Sequence, residues 1–127
     1  MTWTVRFLFD VELDAVHVSF HNCVLADAKD VEAWEREVSR RLASFGRKVD
    51  LLIDLTGLMV KPSASAAFGE ARTRTLERYT LRSFRYGADR ATRTSVFTSA
   101  AIHGAAANVH PTREAAIAAL IAARAKP

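Results

Sequence analysis

Val49-Asp50-Leu51-Leu52-Ile53-Asp54-Leu55-Thr56-Gly57-Leu58-Met59-Val60-Lys61-Pro62-Ser63-Ala64-Ser65-Ala66-Ala67-Phe68 is the stretch that decides the fold class of this chain. Its first part, Val49 to Leu55, is an apolar run with a carboxylate at its start and another at its exit. A run of this kind suits a strand buried on both faces, which in a mixed α/β protein is a central strand with helices on either side. Small residues follow from Ser63, and a helix is expected from about Ser63 to Tyr79 with Phe68, Ala71, Thr75, Leu76 and Tyr79 facing inward. In open α/β sheets, ligands and partners meet the loops beyond the carboxyl ends of the strands, where a helix N-terminus also presents unpaired N–H groups. The corner between Asp54 and Ser65 is therefore the first candidate for function.

Upstream, Trp3, Val5, Phe7, Phe9, Val11 and Leu13 alternate with mostly polar residues, and the alternation returns in Val16, Val18 and Phe20. That period of two, interrupted near Asp14, predicts an opening β-hairpin. Asp27 or Asp30 can cap the next helix, whose stripe is Val31, Trp34, Val38, Leu42 and Phe45 and whose stop is Gly46. Downstream, Leu81 to Tyr86 can form a strand before Gly87. Thr94 to Thr98 is β-branched enough for another strand, followed by a short helix from Ser99 to about Ala106; the alternative is a helix capped by Asp89 that runs to Gly104. Val109-His110 predicts a short strand, and Thr112 caps a final Ala-rich helix.

These elements predict an α/β fold: a mixed β-sheet opened by an N-terminal hairpin and flanked by helices. The segment Asp54-Leu55-Thr56-Gly57-Leu58 resembles the STAS-like family, the anti-sigma-factor-antagonist domains, whose pattern reads Asp-Leu-Ser-Gly-Val, three spacer residues, then Asp-Ser-Ser-Gly-Leu at a helix start. Thr56 stands for the family's Ser. In the second block Pro62 stands where the family has Asp, Ser63 keeps the first serine, Ala64 replaces the second and Ser65 replaces the glycine. Pro111 to Ala115 resembles the family's start to its last helix. The resemblance implies a STAS-like layout and a non-catalytic regulatory domain that docks a protein partner, such as a regulatory kinase or an anti-sigma-like factor, through Asp54, Thr56, Gly57, Ser63, Ala64 and Ser65. In regulated members a kinase phosphorylates one serine of the pair, usually the second. Here that position is Ala64, which leaves Ser63 as the candidate phosphoacceptor. From the residues alone, a serine after proline and before an Ala-rich run is the expected helix N-cap, and Asp54 is expected to accept loop N–H groups.

At 127 residues the chain has the length of one domain, expected to span 1–127. No apolar run approaches the ~20 residues that cross a bilayer. The opening Met1-Thr2-Trp3-Thr4-Val5-Arg6 has no basic leader before an apolar core, so cytoplasm is the expected compartment. Cys23, the single cysteine, excludes an intramolecular disulfide. The net charge of +4 draws attention to seven arginines, Arg72, Arg74, Arg78, Arg82, Arg85, Arg90 and Arg93. They are expected to form a solvated helix face, with Arg74, Arg78 and Arg82 spaced by four, or an anion-facing patch. No helix-turn-helix, zinc-finger or RNA-recognition signature accompanies them, so no nucleic-acid partner is expected.

His17, Ser19, His21 and Cys23 alternate and are expected on one face of the second strand. Four residues at ~3.3 Å each separate the two histidines by ~13 Å, too far for one tetrahedral metal, although His21 and Cys23 could share one with ligands from elsewhere. A polar outer face is the expected role, without metal or cofactor. Phosphate-binding glycine loops and Gly-x-Ser-x-Gly elbows are missing from the sequence. Three classes remain: the partner-docking domain, a small carrier of an apolar or lipid ligand with a pocket between the Ala-rich helix and the sheet, and an enzyme of unrecognised type. Ile117, Leu120 and Ile121 on adjacent faces of the last helix further suggest a homodimer.

Overall fold

In the computed structural model, which describes residues 2–104 and 107–126, the alternating N-terminal segments pair as an antiparallel hairpin, β1 (Thr4–Asp10) and β2 (Ala15–His21). Asp10 stabilises the turn by accepting from the Leu13 N–H at 3.1 Å. β2 ends at His21, the next residue Asn22 turns the chain out of the sheet at a φ of 54°, and a short strand β3 (Cys23–Leu25) follows. Helix α1 (Ala28–Ala43) begins with a reciprocal cap: Asp27 accepts from the Asp30 N–H at 2.9 Å, and Asp30 accepts from the Ala26 N–H at 2.8 Å. Val31, Trp34, Val38 and Leu42 are buried along one stripe, and Gly46 at φ 71° reverses the chain where a β-carbon would be strained.

The apolar run then forms β4 (Val49–Asp54), followed by β5 (Leu58–Val60), α2 (Ser65–Tyr79), β6 (Thr80–Tyr86), α3 (Arg90–His103), β7 (Val109–His110) and α4 (Arg113–Ala125). The main sheet has the order β1-β2-β4-β6-β7, and β4 lies in its centre, parallel to both β2 and β6. Alternation along β4 splits the core. Leu51 joins Val31, Trp34 and Phe68 beneath α1 and α2, while Leu52 packs with Ala15, Phe84, Ala116 and Leu120 beneath α4. Thus helices cover both faces of the central strand. Asp50, only 4% exposed, is matched at the opposite end from the candidate site by Arg82 at 3.1 Å and Arg124 at 2.8 Å. Arg124 also donates to the Asp14 carbonyl at 2.8 Å, so it joins α4 to the hairpin turn.

Three expectations are corrected. Thr94 to Thr98 is helical, not a strand. Asp89 accepts from the Thr92 N–H at 2.7 Å and Gly104 closes the helix at φ 74°, while Thr92, Ser95, Val96 and Ser99 bury one face. That face has helical spacing, but three of its four residues are polar, so a hydrophobic periodicity does not reveal it. The expected extension to about Ala106 falls partly on 105–106, outside the described residues. Ser63 is not the N-cap either: Pro62–Ala64 forms a 3-10 turn, and α2 starts from Ala64 without a side-chain cap. Finally, Arg82 lies in β6, so it does not continue a helical face with Arg74 and Arg78.

Candidate functional site

The exit of β4 is closed by Asp54, whose Oδ1 accepts from the Thr56 N–H at 2.9 Å and from the Thr56 hydroxyl at 2.6 Å. This carboxylate holds the loop, as expected from its position. Gly57 allows a close approach: a β-carbon there would lie 1.9 Å from the Phe20 carbonyl oxygen. The Gly57 carbonyl in turn accepts from the Cys23 N–H at 2.9 Å. That contact sets β5 beside β3 in a separate two-stranded parallel sheet, with Cys23 opposite Leu58, Val24 opposite Met59 and Leu25 opposite Val60. Gly87 completes the corner at φ 76°, since a β-carbon there would meet Thr56 Oγ1 at 2.5 Å.

Alternation gives the small sheet two faces. Cys23, Leu25, Leu58 and Val60 are buried, whereas Val24 and Met59 stand side by side and are 45% and 44% exposed. Lys61 leaves β5 with its N–H donating to the Leu25 carbonyl at 2.9 Å and its side chain exposed. In the following turn the exposed Ser63 donates its hydroxyl to the Ala26 carbonyl at 2.5 Å, tying the turn to the start of α1. Ser65 is half-buried, and its Oγ lies 2.9 Å from the Ser95 Oγ on α3. Ala64 is fully buried.

The structure therefore places the expected residues at the two ends of the β3–β5 pair, Gly57 beside Cys23 and Ser63 beside Ala26, and gives them different roles. Asp54, Thr56 and Gly57 shape the loop, Ser63 faces outward, Ser65 faces α3, and the Ala64 side chain belongs to the core. Sequence reasoning missed Val24 and Met59, the outward residues of the small sheet. The available signal was the three-residue alternation in each of Cys23–Leu25 and Leu58–Val60, too short to be decisive. It also missed Thr92, whose fully buried hydroxyl accepts from the Val60 N–H at 3.1 Å.

The residues expected to share one face, His17 to Cys23, separate. His17 is partly buried and its Nε2 lies 2.9 Å from Asp10 Oδ2, a contact that lowers the Asp10 pKa below the ordinary carboxylate value. His21 is exposed at the end of β2, but Cys23 is buried in β3, so the expected common face ends at Asn22. Burial, and then the charge of Asp30, pushes the Cys23 thiol up to about 12, which leaves it protonated at neutral pH. No three His, Cys, Asp or Glu side chains among the described residues are grouped to hold a metal ion.

No family model and no curated protein matches this sequence. Among solved structures, the chain is similar to the Bacillus cell fate determinant SpoIIAA in its phosphorylated form. The TM-score is 0.55 over 92% of this chain and 99% of that chain, at 17% sequence identity. The chain has the STAS-like fold.

On this STAS-like framework the arginine-rich stretch is dispersed. Arg74 pairs with Glu35 at 2.8 Å and Arg82 with Asp50, while Arg72 and Arg85 are buried at 4% and 2% exposure. Arg72 donates to the Ser99 hydroxyl at 3.2 Å, and burial lowers its pKa to about 10. Arg85 donates to the Ala107 carbonyl and the Ser83 hydroxyl. At the other side of the STAS-like sheet, Ala116 and Leu120 seat α4 directly on Leu52 and Phe84. The groove beside α4, about 770 Å³, is open and edged by Glu77, Arg82 and Lys126. No described helix is long and apolar enough to cross a membrane.

Proposed function

We propose that this chain is a non-catalytic regulatory module that docks a protein partner on the outer face of the β3–β5 pair and the turn into α2. The observation that carries this reading is the exposed pair Val24 and Met59, bordered by exposed Lys61 and Ser63 on a face whose backbone is fixed from behind. Apolar side chains held out of a rigid small sheet, with a polar rim, suit the centre of a protein interface. The similarity to SpoIIAA, whose structure is of a phosphorylated form, supports the same reading. The partner of this kind of module is a regulatory kinase or an anti-sigma-like factor.

Ser63 is the modifiable residue in this account. Its hydroxyl is accessible and bonded to the Ala26 carbonyl, next to Asp27. A phosphoryl group would remove that donated proton and add about two negative charges to the turn, which loosens it and repels an acidic partner surface. The carrier alternative has less support, because the groove beside α4 is open and bordered by charged side chains.

Affinity purification from the native source, with the bound material analysed for both proteins and lipids, tests the proposal. A stoichiometric protein that is lost on Met59→Asp supports it. A stoichiometric lipid without a protein partner would overturn it.

A further inference from the structure

β1 closes one side of the five-stranded sheet, and among the described residues its outer backbone edge has no strand partner. Exposed edges are usually blunted by a bulge, by charged side chains such as Arg6 and Asp10 here, and above all by lysine or proline. Thr-Val-Arg-Phe-Leu-Phe-Asp contains neither residue, and its register with β2 runs unbroken from Thr4 opposite His21 to Asp10 opposite Ala15. Leu8 is 54% exposed and Phe9 is 38% exposed, while Arg6 is also open to solvent.

The side chains of this edge complement themselves. In an antiparallel pair across a two-fold axis normal to the sheet, facing residues lie on the same face and their numbers have a constant sum. Centring the pair on Leu8 sets Leu8 against Leu8, Arg6 against Asp10, and Phe7 against Phe9. Centring on Phe7 sets Arg6 against Leu8, centring on Phe9 sets Leu8 against Asp10, and centring on Arg6 or Asp10 sets like charges together. Opposite charges and paired aromatics stabilise cross-strand neighbours, whereas like charges destabilise them, so the sequence selects one register. Asp10 already accepts from Leu13 and contacts His17, but a carboxylate has lone pairs left for an arginine. Phe7 and Phe9 are held on the α1 side by the guanidinium groups of Arg41 and Arg47, at 5.0 and 5.9 Å.

We propose that β1 is a self-recognition edge: a second copy of this chain adds antiparallel about Leu8 and joins two five-stranded sheets into one. This differs from an interface on α4. That helix buries Leu120 and half-buries Ile117, leaving Ile121 exposed.

Sedimentation velocity from low micromolar to high micromolar concentration tests the proposal, with circular dichroism checking that each variant is folded. Wild type is expected to pass from monomer to dimer. Arg6→Asp and Leu8→Lys remain monomeric, and Ile121→Lys dimerises like wild type. A second measurement does not depend on weakening the strand. Under mild oxidation Leu8→Cys forms a covalent dimer, because facing residues of an antiparallel pair lie within disulfide reach; Val11→Cys, which faces Val5, does not. A wild-type monomer throughout, a dimer that persists in Arg6→Asp, a dimer lost in Ile121→Lys, or no crosslink through Leu8→Cys would each overturn the proposal.

Discussion

The hydroxyl of Thr92 in α3 accepts from the Val60 N–H at 3.1 Å and donates to the Leu58 carbonyl at 3.2 Å, so one side chain completes the outer edge of β5. It takes the place of a neighbouring strand and fixes the small sheet that carries Met59. Thr92→Val keeps the shape but leaves two buried backbone groups without partners, at a cost of about 1–3 kcal/mol. Thr92→Ser should retain most of the stability. Urea unfolding of the two variants beside wild type checks the difference.

The two glycines at opposite ends of β4 should respond differently to alanine. Gly57→Ala drives a β-carbon to 1.9 Å from the Phe20 carbonyl oxygen, a backbone atom that cannot swing away. The expected loss is about 3 kcal/mol or more, as for other severe steric changes. Gly46→Ala meets open space, and its cost is limited to the strained φ of +71°, about 1–2 kcal/mol. Thermal midpoints rank the pair.

Cys23 predicts an alkaline dependence of stability. The ordinary thiol value of 9.0 is raised to about 12 in the folded protein, chiefly by burial. At pH values below 9.0 both states hold the proton, and stability is unaffected by this group. Above it the unfolded chain ionises while the folded chain does not, so stability falls as pH rises towards 12. Cys23→Ala should show a shallower fall over that window than wild type. The native thiol should also resist a disulfide reagent at neutral pH and react fully in denaturant.

Much of this architecture was legible because its signals were long or chemically distinct. Val49 to Leu55 marked the central strand, Asp27 or Asp30 marked the start of α1 and Gly46 the turn shortly after its end, and Thr112 opened α4. The helix through Thr92 to Ser99 was legible only as the alternative, from its caps Asp89 and Gly104, since its buried face is built from small polar residues that bond within the core. At the candidate corner, the loop role of Asp54 followed from a carboxylate at a strand exit. Ser63 had the sequence context of a cap, but its hydroxyl is bonded to the distant Ala26 carbonyl, a tertiary contact that no local spacing encodes.

Asp50 tests how the far end of the sheet is held. Its buried carboxylate accepts from Arg82 and from Arg124 on α4. Asp50→Asn should destabilise the protein by about 2–3 kcal/mol, because it weakens both bonds and leaves cationic groups facing a neutral amide. Arg82→Ala should cost only about 0.5–1 kcal/mol, since that arginine remains well exposed. Denaturant midpoints check the order.

The central strand should also be the slowest part of the backbone to open. Leu52 is fully buried between β2 and β6, with α4 on its face, and Ile53 lies next to it. Their amides are expected among the last to exchange with deuterium, close to the rate set by global unfolding. β1, at the edge, should exchange earlier in the monomer.

The claim that function resides on the β3–β5 face is tested most directly by the affinity of the captured protein partner for four purified forms: wild type, Met59→Asp, Ser63→Asp and Leu81→Asp. Leu81 is 61% exposed in β6, outside the small sheet, and serves as the control. Titration calorimetry should show binding reduced at least about tenfold by Met59→Asp and by Ser63→Asp, as for loss of an interface centre and for an added charge, with Leu81→Asp equal to wild type. Equal affinity for wild type, Met59→Asp and Ser63→Asp, with binding abolished instead by substitutions at the exposed Arg74, Arg78, Arg90 or Arg93, would contradict the account.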